Sequence, residues 1–128
     1  MDLRDKAVEI AFEHFGKPYK WGGQGPFDFD CSGFIIHIFQ RTGVFPLRQD
    51  DTAQGLFKRY SKYATGAPYK ATVAFYGKDG DNITHCTFVL NKYAIIGANG
   101  GNINRISVED FHYRKDLISI CDPYMDKF

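Results

Sequence analysis

The chain has 128 residues, with 16 basic and 15 acidic side chains and a formal net charge of +1. A length of this order predicts one domain, spanning residues 1–128, whose apolar core needs no disulfide support. Acidic and basic residues are mixed along the chain, which excludes the basic patch of a nucleic-acid binder and the polybasic segment of a membrane anchor. No apolar run is long enough to span a bilayer, so we expect neither nucleic acid nor a membrane as a partner.

The N-terminal half has the apolar spacing of helices. Three helices are predicted, over residues 2–15, 31–43 and 51–60. Asp2 and Asp50 are the expected N-caps of the first and third, and Gly43 ends the second. Residues 16–30 are rich in glycine and proline and are predicted to form a loop, as are residues 61–68.

The C-terminal half has the composition of β-strands. Strands are predicted over residues 71–76, 83–90, 93–96, 104–107 and 117–121. A bend is expected over the glycine-rich residues 97–101, and a helical turn over residues 107–110, where Ser107 and Asp110 resemble a capping box. Helices followed by an antiparallel meander define the α+β class.

The number and spacing of the cysteines limit the kinds of functional site that the chain is expected to form. The three cysteines are Cys31, Cys86 and Cys121, and none has C-x-x-C spacing. An odd, sparse set of this kind argues against a disulfide framework and against a structural zinc site. We therefore expect no bound metal, no cofactor and at least one free thiol.

Cys31 is the first candidate for chemistry. It lies at the predicted start of a helix, directly after the glycine-rich loop. Unpaired N–H groups and the positive end of the helix dipole favour a thiolate there, and the thiolate is the nucleophilic form of cysteine. A buried structural cysteine is the alternative that the local sequence leaves open.

A nucleophilic thiol needs a general base, and the chain has four histidines, at positions 14, 37, 85 and 112. His85 stands out because it interrupts an apolar strand, which is a rigid mount for acid–base chemistry. A satisfied core histidine is the alternative. His37 is displaced from Cys31 around the predicted helix and is not expected to reach the sulfur. Cys86 should point to the opposite face of the strand from His85, so we interpret it as a packing residue, and Cys121 likewise.

Three sequence blocks resemble the NlpC family of papain-like cell-wall cysteine peptidases. They are GKPYKWGG at residues 16–23, FDCSGF at residues 29–34 and ITHCTFVL at residues 83–90. The spacing of the first two blocks also fits, and the similarity covers nearly the whole chain. The paired blocks around Cys31 are specific, whereas the histidine strand alone is a weak signal.

The resemblance implies a papain-like α+β fold, in which N-terminal helices pack on a small antiparallel sheet and the nucleophile lies at a helix N-terminus. It makes residues 1–128 a single NlpC-type cysteine peptidase domain without a cofactor. The implied activity is hydrolysis of peptidoglycan stem peptides, typically at the bond between D-glutamate and a diamino acid, through an acyl-enzyme. Cys31 becomes the nucleophile and His85 the general base.

The same resemblance assigns substrate contacts. The Tyr19 hydroxyl and the Cys31 backbone N–H would stabilise the oxyanion. Asp30 and Ser32 match positions that bind the free amine of the stem peptide, and Trp21 would form a wall of that pocket. Asp30 is equally suited to be the N-cap of the helix, and the two roles are compatible.

The chain departs from the family pattern at the third polar residue, which orients the histidine from the next strand. Counting along the sequence places Gly97 there, which has no side chain. Asn99 lies two positions further on and would share the same strand face, so we predict Asn99 as the orienting residue. A main-chain carbonyl or a water molecule is the alternative.

Two rival functions remain open at this level. One is a related papain-like amidase or acyltransferase, and the other is a non-catalytic module of a phage virion. Residues 1–13 are charged and amphipathic, unlike a signal peptide, so delivery to the cell wall is expected by another route. The sequence also resembles phage-borne members of the family, which makes phage tail or virion proteins candidate partners.

Overall fold

The computed structural model describes residues 2–25, 27–98, 105–111 and 114–127. Within them the order of elements is α1 (Leu3–Glu13), α2 (Cys31–Thr42), α3 (Ala53–Tyr60), β1 (Ala64–Thr65), β2 (Val73–Gly77), β3 (Ile83–Asn91), β4 (Ala94–Ala98), β5 (Ile106–Asp110) and β6 (Leu117–Cys121), with short 3₁₀ turns at Ser61–Tyr63 and Met125–Lys127. The strands form one antiparallel sheet in the order β1-β6-β2-β3-β4-β5. The predicted α+β architecture, with helices first, is confirmed.

The first two helices begin at the caps that local chemistry predicts, and α2 also ends as predicted, whereas α1 ends at Glu13, two residues before its predicted end. The Asp2 carboxylate accepts a hydrogen bond from the Asp5 amide at 2.9 Å and caps α1. The Asp30 carboxylate caps α2 by accepting from the Gly33 amide at 2.6 Å. Gly43 ends α2 in the left-handed conformation, with φ of 83°.

The cap of α3 is a correction. Thr52, and not Asp50, is the N-cap, because the helix begins only at Ala53 and the Gly55 amide donates to the Thr52 hydroxyl at 3.1 Å. The Asp50 carboxylate instead accepts from the Gln24 side chain at 2.8 Å. This bond joins the glycine-rich loop to the segment that precedes α3.

Three further expectations are corrected where long-range strand pairing overrides local signals. The predicted helical turn over residues 107–110 is part of β5, because it pairs with β4 in the register Gly97↔Ser107. That register also keeps Gly97 inside β4, so the strand does not bend there. Residues 61–68, predicted as loop, include a 3₁₀ turn and the short strand β1, which pairs with β6.

The main core lies between α2 and one face of the sheet. Phe34, Ile35, Ile38 and Phe39 of α2 are fully buried there, together with strand residues such as Phe75, Phe88 and Ile96. A smaller apolar cluster covers the opposite face, with Ala74, Tyr76, Val89, Ile95, Phe111 and Ile120. The packing of α2 sets its N-terminus against the sheet. None of the described helices is long and apolar enough to cross a membrane.

Candidate active site

Cys31 is the first residue of α2 and lines a groove of about 630 Å³. The groove is bordered by the glycine-rich loop, by the segment leading into α3 and by the start of β3. The other lining residues include Tyr19, Trp21, Asp30, Ser32 and His85. The sequence-predicted residues that the structure describes therefore lie around one open groove, and Asn99 lies outside the described residues.

The Cys31 sulfur is surrounded by hydrogen-bond donors. Hydrogen bonding from the Cys86 thiol, and then from the His85 imidazole, lowers the pKa of Cys31 to about 5, although burial opposes the shift. A thiol with this pKa is deprotonated at neutral pH. The site thus presents a thiolate next to an imidazole at the floor of a groove that is open to solvent.

Cys86 is the contact that the sequence analysis missed. It is fully buried in the main core, as expected of a packing residue, but its thiol also hydrogen-bonds to Cys31. The hydrogen bond to the Cys31 sulfur, and then burial, raise the pKa of Cys86 well above its usual value. Cys86 therefore keeps its proton and acts as a donor, while Cys31 loses its own.

A β-bulge interrupts β3 directly before His85 and Cys86, the two residues that contact Cys31. The pairing of β2 with β3 shifts register at Gly77, so that Thr84 is an extra residue in β3. Ile83 and Cys86 both belong to the helix-facing core, although strict alternation would separate them. A bulge of this kind changes the direction in which neighbouring side chains point. No periodic pattern in the sequence predicts it.

The glycine-rich loop is held tightly against the start of α2. The Asp30 carboxylate accepts from the amides of Gly22, at 3.1 Å, and Gly33, and from the Ser32 hydroxyl at 3.2 Å. A Cβ at Gly33 would overlap the carbonyl oxygen of Gly23, which explains the glycine there. The expectation that Asp30 caps the helix is confirmed, whereas its role in amine binding stays a prediction.

Tyr19 and Trp21 extend from this loop over the groove. Burial and the nearby Cys31 sulfur raise the pKa of the Tyr19 hydroxyl, so the group is a neutral donor beside the thiolate. Trp21 is 88% exposed, which is unusual for tryptophan and leaves its ring accessible to a ligand in the groove.

The groove is acidic. Asp50 and Asp51 line the groove together with Asp30, and none of the described lining residues is lysine or arginine. Three carboxylates within one groove favour a ligand that carries positive charge. The sequence analysis did not single out Asp50 and Asp51 for this role, because their contribution depends on how the segment before α3 folds over the groove.

The histidines of the two helices lie away from the groove. His14 and His37 face each other with their Nε2 atoms 2.9 Å apart, and the Lys17 Nζ lies 2.7 Å from the His14 Nδ1. Burial lowers the pKa of His37 to about 4 and also lowers that of His14. His37 therefore does not serve Cys31, in keeping with its predicted position on α2, and His112 lies outside the described residues.

Helices packed on an antiparallel sheet, with a cysteine at a helix N-terminus beside a strand histidine, define a papain-like domain. A model of the NlpC/P60 family matches residues 16–121. The chain belongs to the NlpC/P60 family, as the sequence blocks predicted.

Individual relatives agree with this assignment. The bifunctional muramidase/DL-endopeptidase CwlT of Bacillus subtilis is 27% identical over 122 residues, which cover 93% of this chain but only 36% of CwlT. NlpC1 from Trichomonas vaginalis has a TM-score of 0.78 at 21% identity, over 93% of this chain and 43% of that one. RipD from Mycobacterium tuberculosis, described as a non-catalytic NlpC/p60 domain protein adapted to peptidoglycan binding, has a TM-score of 0.76 at 16% identity, over 94% of this chain and 97% of RipD.

Proposed function

We propose that this chain is a cysteine endopeptidase that hydrolyses peptidoglycan stem peptides, with residues 1–128 acting as one catalytic domain. One observation carries the proposal. The Cys31 thiol accepts hydrogen bonds at the start of α2, one of them from His85, and its pKa is about 5 beside an open groove. A merely structural cysteine gains nothing from a depressed pKa, whereas a nucleophile does.

The proposed reaction has two stages. His85 takes the proton of the Cys31 thiol, and the resulting thiolate attacks the amide carbonyl carbon. The Tyr19 hydroxyl and the Cys31 backbone N–H stabilise the oxyanion. The C–N bond then breaks as the His85 imidazolium gives its proton to the leaving amine, which leaves an acyl-enzyme. A water molecule, deprotonated by His85, attacks the thioester, and the acid product leaves as the Cys31 thiolate is regenerated.

The acidity of the groove supports a stem peptide with a free amine as the substrate. Asp30 and Ser32 are the sequence neighbours of Cys31, and Asp50 and Asp51 line the same groove. This charge suits the terminal ammonium of a stem peptide and the second amine of a diamino acid. We therefore propose the D-glutamyl–diamino acid bond as the scissile bond. Lipid acyl groups, the substrates of an acyltransferase, carry no such charge.

A second candidate function is peptidoglycan binding without catalysis. Two observations favour it: Gly97 stands at the position of the family's orienting side chain, and the structurally similar RipD is described as non-catalytic. The depressed pKa of Cys31 is the observation against it. Association with a phage virion stays a prediction from the sequence.

The deciding experiment uses defined muropeptides, with the N-terminal amine free or acetylated, and mass spectrometry of the products. We expect Cys31→Ala to abolish cleavage, since it removes the nucleophile. Cys121→Ala is the matched control, because Cys121 is buried in the same core but does not line the groove. Cleavage by Cys31→Ala at the wild-type rate would overturn the proposal, and equal cleavage of the acetylated peptide would overturn the amine pocket alone.

A further inference from the structure

The Cys86 thiol is a buried group with redox chemistry of its own that the proposed hydrolysis does not use. Cys86 is 0% exposed and belongs to the main core beneath α2. Its thiol is hydrogen-bonded to the sulfur of Cys31, which is partly buried and lines the groove. Two free cysteines are therefore in direct contact at the floor of a groove that small solutes can enter.

The fold brings these two cysteines together from opposite sides of the main core. Cys31 begins α2, and Cys86 belongs to the helix-facing core residues of β3, a strand that lies between β2 and β4. Because the two sulfur atoms are hydrogen-bonded to each other, the two side chains point towards each other. This mutual direction is the main geometric requirement for a disulfide bond.

Cys121 is too far from Cys86 to compete for it. Cys86 pairs with Phe75 on β2, and Phe75 pairs with Ser119 on β6, two residues from Cys121. Neighbouring strands are about 4.8 Å apart, so two strand spacings separate positions 86 and 121 by roughly 10 Å or more. A disulfide requires Cα atoms within about 7 Å of each other. Of the two other cysteines, both within the described residues, Cys31 is therefore the one within reach of Cys86.

We propose that Cys31 and Cys86 form a redox pair, in which a peroxide oxidises Cys31 and Cys86 then captures the oxidised sulfur as a reversible disulfide. The disulfide blocks the nucleophile, so the oxidised protein is inactive until a dithiol reduces it. This inference rests on the proposed role of Cys31 as the nucleophile, and it adds a means of regulating the same site.

The oxidation has two steps. The Cys31 thiolate attacks one oxygen of hydrogen peroxide, the O–O bond breaks and hydroxide leaves, so that Cys31 becomes a sulfenic acid, oxidised by two electrons. The Cys86 sulfur then attacks the Cys31 sulfur and the S–O bond breaks. The hydroxyl group leaves with the Cys86 proton as water, and the disulfide remains.

The charge of Cys31 determines when Cys86 reacts. In the reduced site, the hydrogen bond to the Cys31 sulfur, and then burial, hold the pKa of Cys86 high, so Cys86 stays protonated and unreactive. A sulfenic acid is neutral, so oxidation of Cys31 removes the negative charge that favours the protonated form of Cys86. Cys86 therefore becomes a nucleophile after Cys31 has been oxidised, and the disulfide protects Cys31 from irreversible oxidation to sulfinic acid.

The test treats the folded wild-type protein with hydrogen peroxide and locates the modification by mass spectrometry of its peptides. We expect the monomer to lose two hydrogen atoms, with one cross-linked peptide pair that contains Cys31 and Cys86. Dithiothreitol should remove the cross-link and restore the alkylation of Cys31 by iodoacetamide. Sulfinic acid at Cys31 without a cross-link would overturn the inference, and so would a cross-link to Cys121 or to a second chain.

Cys86→Ala and Cys121→Ala give the matched comparison, at equal extents of Cys31 oxidation. In Cys86→Ala, peroxide should carry Cys31 on to sulfinic acid, and dithiothreitol should restore none of its alkylation. Cys121→Ala should recover nearly all of its alkylation, as the wild type does. Equal recovery in Cys86→Ala and Cys121→Ala would overturn the inference.

These readouts need no substrate, so they separate the redox pair from the proposed function. Muropeptide cleavage by the wild type should be lost when the cross-link forms and should return with dithiothreitol. A cross-link in a protein whose reduced form cleaves no muropeptide would overturn the proposed function alone. Cleavage that persists in the fully cross-linked protein would overturn the regulation proposed here.

Discussion

The start and the middle of α2 hold titratable groups whose pKa values are both lowered, but with opposite results. At the start of the helix, hydrogen bonding from Cys86 and His85 lowers the pKa of Cys31 to about 5, which favours the charged thiolate. Two turns later, burial lowers the pKa of His37 to about 4, which favours the neutral imidazole. Hydrogen-bond donors beside an open groove therefore stabilise the charged, reactive form of a side chain, whereas burial alone stabilises the neutral form.

The largest expected effect comes from removing the imidazole of His85, with removal of the His37 imidazole as the comparison. His85→Ala should reduce muropeptide cleavage by about 10²- to 10⁴-fold, the usual contribution of a general base, and should raise the pKa of Cys31. His37→Ala is the matched control: it should lower thermal stability but leave the reactivity of Cys31 near that of the wild type. The comparison fails if both variants lose Cys31 reactivity to the same extent.

The tight approach of the glycine-rich loop to α2 can be tested with one methyl group. Gly33→Ala should lower the free energy of unfolding by about 1 to 3 kcal/mol, because the new Cβ overlaps the carbonyl oxygen of Gly23. Gly66→Ala is the control, since a Cβ at Gly66 contacts nothing within 4 Å. Denaturant unfolding of both variants measures the difference, and equal stability would contradict the described packing.

The burial of His37 should make the free energy of unfolding depend on pH. The pKa of His37 is about 4 in the folded protein and about 6.5 in an unfolded chain, so the unfolded state binds more protons between these values. The stabilising effect is complete above about pH 6.5 and is lost as the pH falls towards 4. Allowing for solvent screening at this half-buried site, we expect a loss of about 1 to 2 kcal/mol, measured by denaturant unfolding at pH 7 and pH 4.5.

The loss of stability at low pH should be smaller in His37→Leu, which has no group to protonate. Cys31→Ala should also reduce the dependence, because the pKa of Cys31 is about 5 in the folded protein and higher in an unfolded chain, so the effect of His37→Leu is measured in the Cys31→Ala background as well. An unchanged pH dependence in His37→Leu would assign the effect to other groups.

The smallest expected effect concerns the thiol that the sequence analysis interpreted as packing. Cys86→Ala removes the leading hydrogen bond to Cys31, and a hydrogen bond of this kind contributes about 1 kcal/mol. We expect the midpoint of Cys31 alkylation to move to higher pH by somewhat less than one pH unit, with a rate at pH 4 about fivefold lower. Cys121→Ala serves again as control, and an unchanged midpoint in Cys86→Ala would limit Cys86 to packing.

The sequence predicts a structural feature well when the residues that determine it lie close together in the chain. The caps of α1 and α2 are encoded within a few residues, by Asp2 and Asp30, and the nucleophile loop is encoded by its own motif. The prediction of a helical turn over residues 107–110 was wrong, because strand pairing with β4 outweighs a short capping pattern. The contact of Cys86 with Cys31 depends on how α2 packs on the sheet, and the acidity of the groove depends on where the segment before α3 lies.

The most direct test of the account is the pH dependence of Cys31 alkylation in the folded wild-type protein, followed by mass spectrometry at that residue. We expect a reactive thiolate with a midpoint near pH 5. A midpoint near 8.5, the value of an ordinary free thiol, would show that Cys31 has no stabilised thiolate and would contradict the proposed nucleophile.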